Sequence, residues 1–323
     1  MDENIIEFGS SKKQKREDIN DDIPNSVKTS QEMIKNFNEN LSDVGTIKKE
    51  EVPVVVEDKE VKDLTVKDII AKLKASQRYE EVLLPSRNIS YEDIGLERDK
   101  PIHVRPMTIE EEKILSTPRL LRTGQAIDQI FSACIREEVP VGRFFAADRV
   151  FLLFYIRGIS YGVEYEVQIK CPSCNSQFAE SINLDTLLVE RCNDDFNGSK
   201  TCTLPNSKLN ITFRYPRGDD ERNLLKYRDT IIKGFGAQAV DDTIVRRNTM
   251  LVTRIENITN RNEIEMIMNN LSVMDSNYIR DQIDNPGFGI DTEIGMNCIY
   301  CYNEWRLSLP IDASFFYPRT KKA

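Results

Sequence analysis

Histidine and tryptophan are nearly absent from this sequence of 323 residues, which contains one of each. A mixed cysteine–histidine metal site therefore has at most one histidine available, and His103, in a strand-like run, is better explained as structural. No apolar run reaches membrane-spanning length. The first residues, Met1–Glu7, lack the basic start and apolar stretch of a secretory signal. We therefore expect a chain that works in a reducing compartment and contacts no membrane.

An excess of positive charge is also lacking, because 44 lysines and arginines face 53 acidic residues and give a net charge of −9. This balance argues against a large nucleic-acid footprint. The sequence has no GxxxxGK[ST], GxGxxG or GxSxG motif. Its acid clusters are predicted at helix starts or in loops, where they complement helix dipoles or face water: 110–112, 194–195, 219–220 and 241–242. We therefore expect no enzyme.

Cysteine is present seven times, and four of the seven form two CxxC motifs, at Cys171–Cys174 and Cys298–Cys301. Each motif lies between two strand-like runs, which is the arrangement of a zinc knuckle. Two knuckles that face each other would complete a tetrahedral site of four sulfurs, with Cys171, Cys174, Cys298 and Cys301 binding one structural zinc. The alternatives are a redox pair, which should open a helix rather than a strand, and buried small apolar residues. The other three cysteines are expected to be free: Cys134, Cys192 and Cys202.

Residues 1–80 are poor in apolar side chains and alternate short lysine and acid runs with Asn- and Ser-rich stretches. We therefore expect a disordered N-terminal leader. Apolar residues recur at helical spacing over 31–41 and 65–74, and 52–56 has the composition of an edge strand. Short amphipathic segments of this kind dock onto partners, although accidental periodicity in an unstructured leader explains them equally well.

An α-rich N-terminal core is predicted over 81–162. Thr108 and Glu111 have the spacing of a capping box, which should open a helix that runs to Leu115. Further helices are predicted over Gly124–Glu137 and Ala146–Ile159. The last of these is apolar on nearly every side, as is typical of a helix at the centre of a core.

The two CxxC motifs organise the rest of the chain. Residues 163–216 and 286–317 are predicted to form a split, zinc-ribbon-like β module with a polar loop at 185–207, and a helical bundle over 217–285 is predicted between its halves. Four helices are predicted in the bundle: one capped by Asp219 that runs to Lys233, one over Ala239–Ile255, one over Ile264–Leu271 behind an Asn260 cap, and one capped by Asp275 or Ser276 that runs to Ile283. The fold class is α+β, with a mostly helical core, short antiparallel strands and a zinc-ribbon-like pair of knuckles.

Five segments, in their order along the chain, carry a resemblance to a known family: residues 102–107 (IHVRPM), 110–115 (EEEKIL), 157–162 (RGISYG), the strand into Cys171–Cys174, and 209–216 (LNITFRYP). This order resembles the baseplate hub assembly proteins of T-even-like contractile-tailed bacteriophages, which are myoviruses. The resemblance covers residues 100–310. The long leader and the well-formed second CxxC depart from the family pattern.

The resemblance implies a non-enzymatic protein that forms the central hub under the tail tube or acts as its assembly chaperone. Its partners would be other baseplate hub and tail proteins, without a small-molecule substrate, in the host bacterial cytoplasm during assembly or in the baseplate of the virion. The cysteines leave open a zinc-ribbon protein that binds nucleic acid or acts in transcription. Between Ser160 and Tyr215 acids outnumber bases by seven to five, which disfavours that alternative.

Overall fold

A computed structural model describes residues 65–235, 242–311 and 313–316, which all belong to one compact unit. The segments predicted at 31–41 and 52–56 lie outside the described residues, as does the start of the helix predicted from Ala239. Within the described part of the chain, no helix has both the length and the apolar character needed to cross a bilayer.

The first described helix, α1, spans Val66–Ala75 and confirms the helix predicted at 65–74. Thr65 and Asp68 cap it, because the amide and hydroxyl of Thr65 both donate to the Asp68 carboxylate, at 3.0 and 2.6 Å. Every described side chain of α1 is exposed. The helix is therefore held by its own hydrogen bonds and not by packing against the core.

The N-terminal core combines a short antiparallel pair, β1 (Glu80–Val82) with β2 (Ile102–Val104), and a group of helices. The predicted capping box is present, since the Thr108 hydroxyl accepts from the Glu110 amide and the Glu111 carboxylate accepts from the Thr108 amide. The helices that follow are α2 (Ile109–Leu115), α3 (Pro118–Arg122), α4 (Gln125–Cys134) and α5 (Ala146–Tyr161).

Helix α4 ends three residues before the predicted Glu137, because Ile135 leaves the helix and forms a β-bridge with Val104. Helix α3 begins where the sequence predicted a break, since Pro118 occupies the first helical turn, where its missing N–H costs nothing. Helix α5 lies at the centre of the core, as its composition predicts. Its buried residues include Leu152, Phe154 and Ile156.

The two CxxC motifs lie in two antiparallel hairpins. The first hairpin pairs β3 (Glu164–Lys170) with β4 (Gln177–Asn183), and the second pairs β10 (Glu293–Asn297) with β11 (Glu304–Ser308). Along β3, buried and exposed residues alternate strictly, so one face of the first hairpin packs against the core. Of the ten strand residues of the second hairpin, Met296 is the buried one.

A three-stranded sheet, in the order β6 (Ser199–Thr203), β7 (Asn210–Arg214) and β8 (Val252–Ile255), pairs two strands that precede the predicted bundle with a third strand from inside it. The prediction of a helix over Ala239–Ile255 was wrong in its last turn. Helix α7 (Thr243–Leu251) ends before these four residues, three of which are β-branched, and they pair with β7. The predicted polar loop at 185–207 likewise contains β5 (Val189–Glu190) and β6.

The remaining helices are α6 (Gly218–Phe235), α8 (Arg261–Met268), α9 (Val273–Asp284) and the short α10 (Ala313–Phe316). The prediction of Asp219 as the cap of α6 was wrong, because the helix begins at Gly218 and Asp219 lies in its first turn. Asn260 caps α8 as predicted, accepting from the amides of residues 262 and 263. The predicted cap of α9 was wrong, because Ser272 accepts from the Asp275 amide. The Asp275 carboxylate instead accepts from the amides of Asn206 and Ser207 and connects α9 to the β6–β7 turn.

Two contacts return the C-terminal part of the chain to the core, one at strand β5 and one at the start of helix α5. Strand β9 (Gly289–Ile290) pairs with β5, and Phe288, immediately before it, packs in an aromatic cluster. In that cluster the Phe288 ring centroid lies 4.8 Å from Phe196 and 5.9 Å from Phe145, at the start of α5. Edge-to-face pairs at these distances stabilise beyond the area they bury. The second hairpin therefore begins close to the helix that leads into the first.

Candidate metal centre

The first CxxC motif forms a tight turn between β3 and β4. The Cys171 amide donates to the Ser176 carbonyl at 3.0 Å, and the Asn175 amide donates back to the Cys171 carbonyl at 3.0 Å. Asn175 has a φ of 60°, a left-handed conformation that asparagine tolerates better than most residues. This geometry turns both sulfurs toward the same side, with Cys171 buried and Cys174 exposed.

The second motif repeats this turn residue for residue. The Cys298 amide donates to the Asn303 carbonyl at 3.0 Å, and the Tyr302 amide donates to the Cys298 carbonyl at 2.9 Å. Tyr302 occupies the left-handed position with a φ of 57°. Cys298 is buried and Cys301 is exposed, as in the first turn. Two turns with the same hydrogen bonds therefore present two equivalent pairs of thiols.

The structure brings the four sulfurs together. The first cysteine of each motif contacts the second cysteine of the other: Cys171 Sγ lies 3.7 Å from Cys301 Sγ, and Cys174 Sγ lies 3.6 Å from Cys298 Sγ. All four sulfurs lie within 4.8 Å of one another. A tetrahedral site with metal–sulfur bonds near 2.3 Å has sulfur–sulfur edges of about 3.8 Å. The four cysteines could therefore hold a metal ion.

The protonation of the cluster is uneven. Hydrogen bonds from Ser176 lower the pKa of Cys174 to about 6. For Cys301 the Asn303 amide acts in the same direction, but desolvation and the neighbouring thiols outweigh it and raise the pKa to about 11. Cysteine binds metals as the thiolate, so metal binding must release protons from this cluster. Occupancy by a metal should consequently weaken as the pH falls.

Aromatic side chains hold the two hairpins against each other beside the sulfurs. Phe178 of β4 packs edge-on against Tyr300, in the second turn, and against Trp305 of β11, with both centroid distances 6.4 Å. This contact joins residues more than a hundred positions apart without any metal. The hairpins therefore share a small apolar contact in addition to the four thiols.

Arg157 positions the first hairpin, and sequence reasoning assigned it no role. The side chain is almost fully buried in α5 and donates to the carbonyls of Gly162, Glu164 and Phe315. Its guanidinium also lies over the Tyr165 ring, 5.4 Å from the centroid. Burial lowers the pKa of Arg157. An arginine directly after the apolar run 150–156 was the available signal, because a charge buried there needs dedicated acceptors.

The three remaining cysteines lie apart from the four-sulfur cluster and are free, as predicted. Cys134 is buried in α4, and burial raises its pKa to about 12. Cys192 donates to the Ser86 carbonyl at 3.0 Å, and burial raises its pKa to about 11. Both stay protonated at neutral pH and act as small core residues.

The charged groups singled out in the sequence take part in structural contacts. Burial opposes the ionisation of Asp220, but a bidentate pair with Arg214, at 2.6 and 2.7 Å, outweighs it and holds the pKa of Asp220 below its usual range. Asp194 pairs with Arg87 at 2.7 Å. His103 Nδ1 lies 2.7 Å from Glu137. These contacts connect separate segments of the core.

Residues 86–316 match the family model described as T4 bacteriophage base plate protein. No curated protein and no solved structure matches the chain. The matched residues span both hairpins, the four cysteines and the core between them, and they make up most of the sequence. The chain therefore belongs to the family of T4 bacteriophage base plate proteins.

Proposed function

We propose that this protein is a non-enzymatic structural or assembly protein of the baseplate hub, with one structural zinc bound by Cys171, Cys174, Cys298 and Cys301. The observation that carries the proposal is the four-sulfur cluster, which connects hairpins separated by more than a hundred residues within a baseplate family member. A rigid junction of this kind suits a part that must hold a fixed shape between neighbours in an assembly.

Zinc is the metal that suits the donor set. Thiolates are soft ligands, and four of them at tetrahedral spacing favour zinc, or iron in an iron–sulfur site, over calcium and magnesium, which prefer oxygen. Four protein ligands leave no coordination position for a catalytic water, so the proposed role of the ion is structural. Because the second hairpin has little core of its own, metal binding should be coupled to its folding.

In this proposal, separate segments of the chain have separate roles. The leader, 1–80, and the helical insert, 217–285, contact other baseplate hub and tail proteins, while the split module of 163–216 and 286–317 fixes their geometry. Of the apolar insert residues that suggest such contacts, Met266 is exposed and Met268 is buried in the core. The side chain of Phe235 and residue Val240 lie outside the described part of the structure.

A zinc ribbon that binds nucleic acid is the competing proposal. The net negative charge of the two hairpins disfavours it. The strands that carry the knuckles hold five glutamates and two bases: Glu164, Glu166, Glu180, Glu293 and Glu304 against Lys170 and Arg306. Nucleic-acid ribbons need an excess of lysine and arginine to neutralise phosphates. Salt-dependent retention on DNA would support this competitor.

Complementation of a phage that lacks this protein tests the proposed function. We expect Cys171→Ser to reduce the number of complete tails seen by electron microscopy, because it removes one of four ligands and loosens the hairpin junction. Cys202→Ser, in β6 and outside the cluster, is the matched control and should give normal tails. Normal tails from Cys171→Ser would contradict the proposal.

Zinc content and location can be measured separately from tail assembly. Elemental analysis of protein purified without chelator should find one zinc per chain, and Cys298→Ser should lower that content. Mass spectrometry of purified virions and of infected-cell lysate decides between a hub component and a chaperone that acts only in the host cytoplasm. A protein found in lysate but absent from virions would support the chaperone.

A further inference from the structure

The turn of the second CxxC motif exposes three large side chains, here called the knuckle patch: Ile299, Tyr300 and Tyr302. Their exposed fractions are 58%, 60% and 78%. At about 150–250 Å² for each large side chain, the patch offers about 400 Å² of surface. An exposed patch of this size is often functional. The end of the second hairpin is therefore large enough to anchor a further contact.

The first turn shows that the geometry of the cysteines does not require these side chains. Both turns close through the same pair of hydrogen bonds. The three positions equivalent to the knuckle patch hold a proline, a serine and an asparagine: Pro172, Ser173 and Asn175. The chain thus builds one turn twice, once with small or polar residues and once with large ones. The large residues therefore need an explanation other than the turn itself.

Tyr302 is strained in its position. Its φ of 57° is left-handed, and in that conformation Cβ lies too close to the following carbonyl oxygen. The equivalent position of the first turn has a φ of 60° but holds Asn175, which tolerates this conformation better. Packing does not offset the strain, because most of the Tyr302 side chain is exposed. A strained residue that adds little to the core points to a function outside the fold.

Tyr300 differs from the other two residues, because its ring also packs edge-on against Phe178. This contact gives Tyr300 a part in holding the two hairpins together. Among the residues that the structure describes, none packs edge-on against Tyr302 in this way. Variants of Ile299 and Tyr302 therefore test the surface role of the patch separately from the stability of the hairpin junction.

The charge and shape of the hairpin ends indicate the kind of partner. The strands beside the patch carry five glutamates and two bases, a net charge of −3. This charge disfavours nucleic acid and anionic lipid, and it favours a protein surface with basic residues. A turn at the end of a hairpin is convex, so two such tips cannot enclose each other. Patches of about 400 Å² that face each other across a two-fold axis also fall short of the roughly 800 Å² that each copy buries in a stable dimer.

We propose that the knuckle patch binds another protein of the baseplate, which receives Ile299 and Tyr302 in an apolar pocket with lysine or arginine at its rim. Tyrosine suits this role, because a large ring that enters a pocket is a common hot spot of protein interfaces. Basic residues at the rim pair with the hairpin glutamates or lie over a tyrosine ring. This inference rests on the proposed baseplate function and adds a contact surface that the proposed function does not include.

Substitution of Tyr302 tests the patch without removing a cysteine. Tyr302→Asn copies the first turn, so we expect an unchanged zinc content and an equal or higher melting temperature. It should weaken partner binding by about 30-fold, the effect of losing a hot-spot residue, and lower the number of complete tails in the complementation assay. Ile299→Ser combined with Tyr302→Asn should lower that number further. Leu188→Asn, which changes an exposed apolar residue outside the patch, is the matched control and should give normal tails.

Photocrosslinking of the full chain in infected cells identifies the partner surface. Benzoylphenylalanine in place of Tyr302 should crosslink to a different baseplate protein, at a peptide that contains apolar residues and lysine or arginine. The same group in place of Asn175, at the equivalent position of the first turn, is the matched control and should give no such adduct. An adduct between two copies of this chain, or the same adduct from both positions, would overturn the proposal.

The knuckle patch and the proposed baseplate function can fail separately. Normal tails from the double variant at Ile299 and Tyr302, together with lost tails from Cys171→Ser, would refute the patch and leave the baseplate function standing. A Tyr302→Asn protein that loses zinc or melts earlier would give Tyr302 a structural role and likewise refute the patch. Retention on single-stranded DNA, or flotation with anionic lipid vesicles, that is lost in Tyr302→Asn would assign the patch to bases or to a membrane and overturn the proposal.

Discussion

Removal of the proposed metal should unfold the second hairpin and leave the first one folded. The first hairpin buries Tyr165, Val167, Ile169, Phe178 and Ile182 against the core, whereas the strands of the second hairpin bury Met296. At about 2 kcal/mol for each buried apolar side chain, burial contributes about 10 kcal/mol to the first hairpin, whereas Met296 contributes about 2 kcal/mol to the second. The partly buried side chains of the second hairpin, Ile294, Trp305 and Leu307, add less than full burial would. A two-stranded hairpin whose packed face is mostly half-buried is marginal in water. We therefore expect the second hairpin to depend on the proposed metal.

The size of the effect follows from binding linkage. With free zinc at about 100 times the dissociation constant, bound metal stabilises the folded hairpin by about 2.7 kcal/mol. This energy exceeds what Met296 supplies. Its loss lowers the protection of backbone amides against hydrogen exchange by about 100-fold, since about 1.4 kcal/mol corresponds to a factor of ten. We expect this loss over residues 293–308.

Hydrogen exchange measured by mass spectrometry on the full chain, with and without chelator, gives the result for each hairpin separately. Peptides from 293–308 should exchange faster after chelation, while those from 164–183 should change little. Cys298→Ser should reproduce the effect without chelator, and Cys202→Ser should match the wild type. An equal loss in both hairpins, or no loss in either, would refute the reasoning from burial.

Two further predictions concern the core. Burial raises the pKa of Asp148 to about 6, so its carboxyl stabilises the fold when protonated, and this stability is lost as the pH rises from about 4 through 6. The Asp148→Asn variant lacks this pH dependence. Its free energy of unfolding in urea, relative to that of the wild type, should therefore rise by about 3 kcal/mol between pH 4 and 7. Parallel pH profiles of the two proteins would contradict this. Arg157→Leu leaves the carbonyls of Gly162, Glu164 and Phe315 without their hydrogen-bond donor. It should lower the free energy of unfolding in urea by about 3 kcal/mol. An unchanged value would show that water replaces the guanidinium.

Features that depend on a few adjacent residues were predicted well from the sequence. The Thr108 capping box and the Asn260 cap form because each side chain bonds to amides two or three positions away. The central helix, α5, follows from its own composition. Each CxxC turn likewise closes through hydrogen bonds within six residues, so the placement of both motifs between strands could be inferred without knowledge of the rest of the fold.

Features that depend on distant partners were missed. Residues 252–255 have the apolar pattern of a helix end but form β8, because β7 offers them an edge to pair with. The sequence did not indicate which carbonyls accept hydrogen bonds from the Arg157 guanidinium, since one of the three lies 158 residues away. Asp275 was predicted as a helix cap, but its carboxylate accepts hydrogen bonds from the amides of residues 206 and 207.

The sequence by itself determined that two pairs of thiols exist, each held in a turn that points both sulfurs one way, because turn geometry is local. Only the tertiary structure decided that the pairs meet. That meeting requires the β5–β9 pairing and the packing of Phe288 against Phe145 and Phe196, contacts between segments about a hundred or more residues apart. Such contacts form when the whole core excludes water, and the spacing of cysteines along the chain carries no record of them.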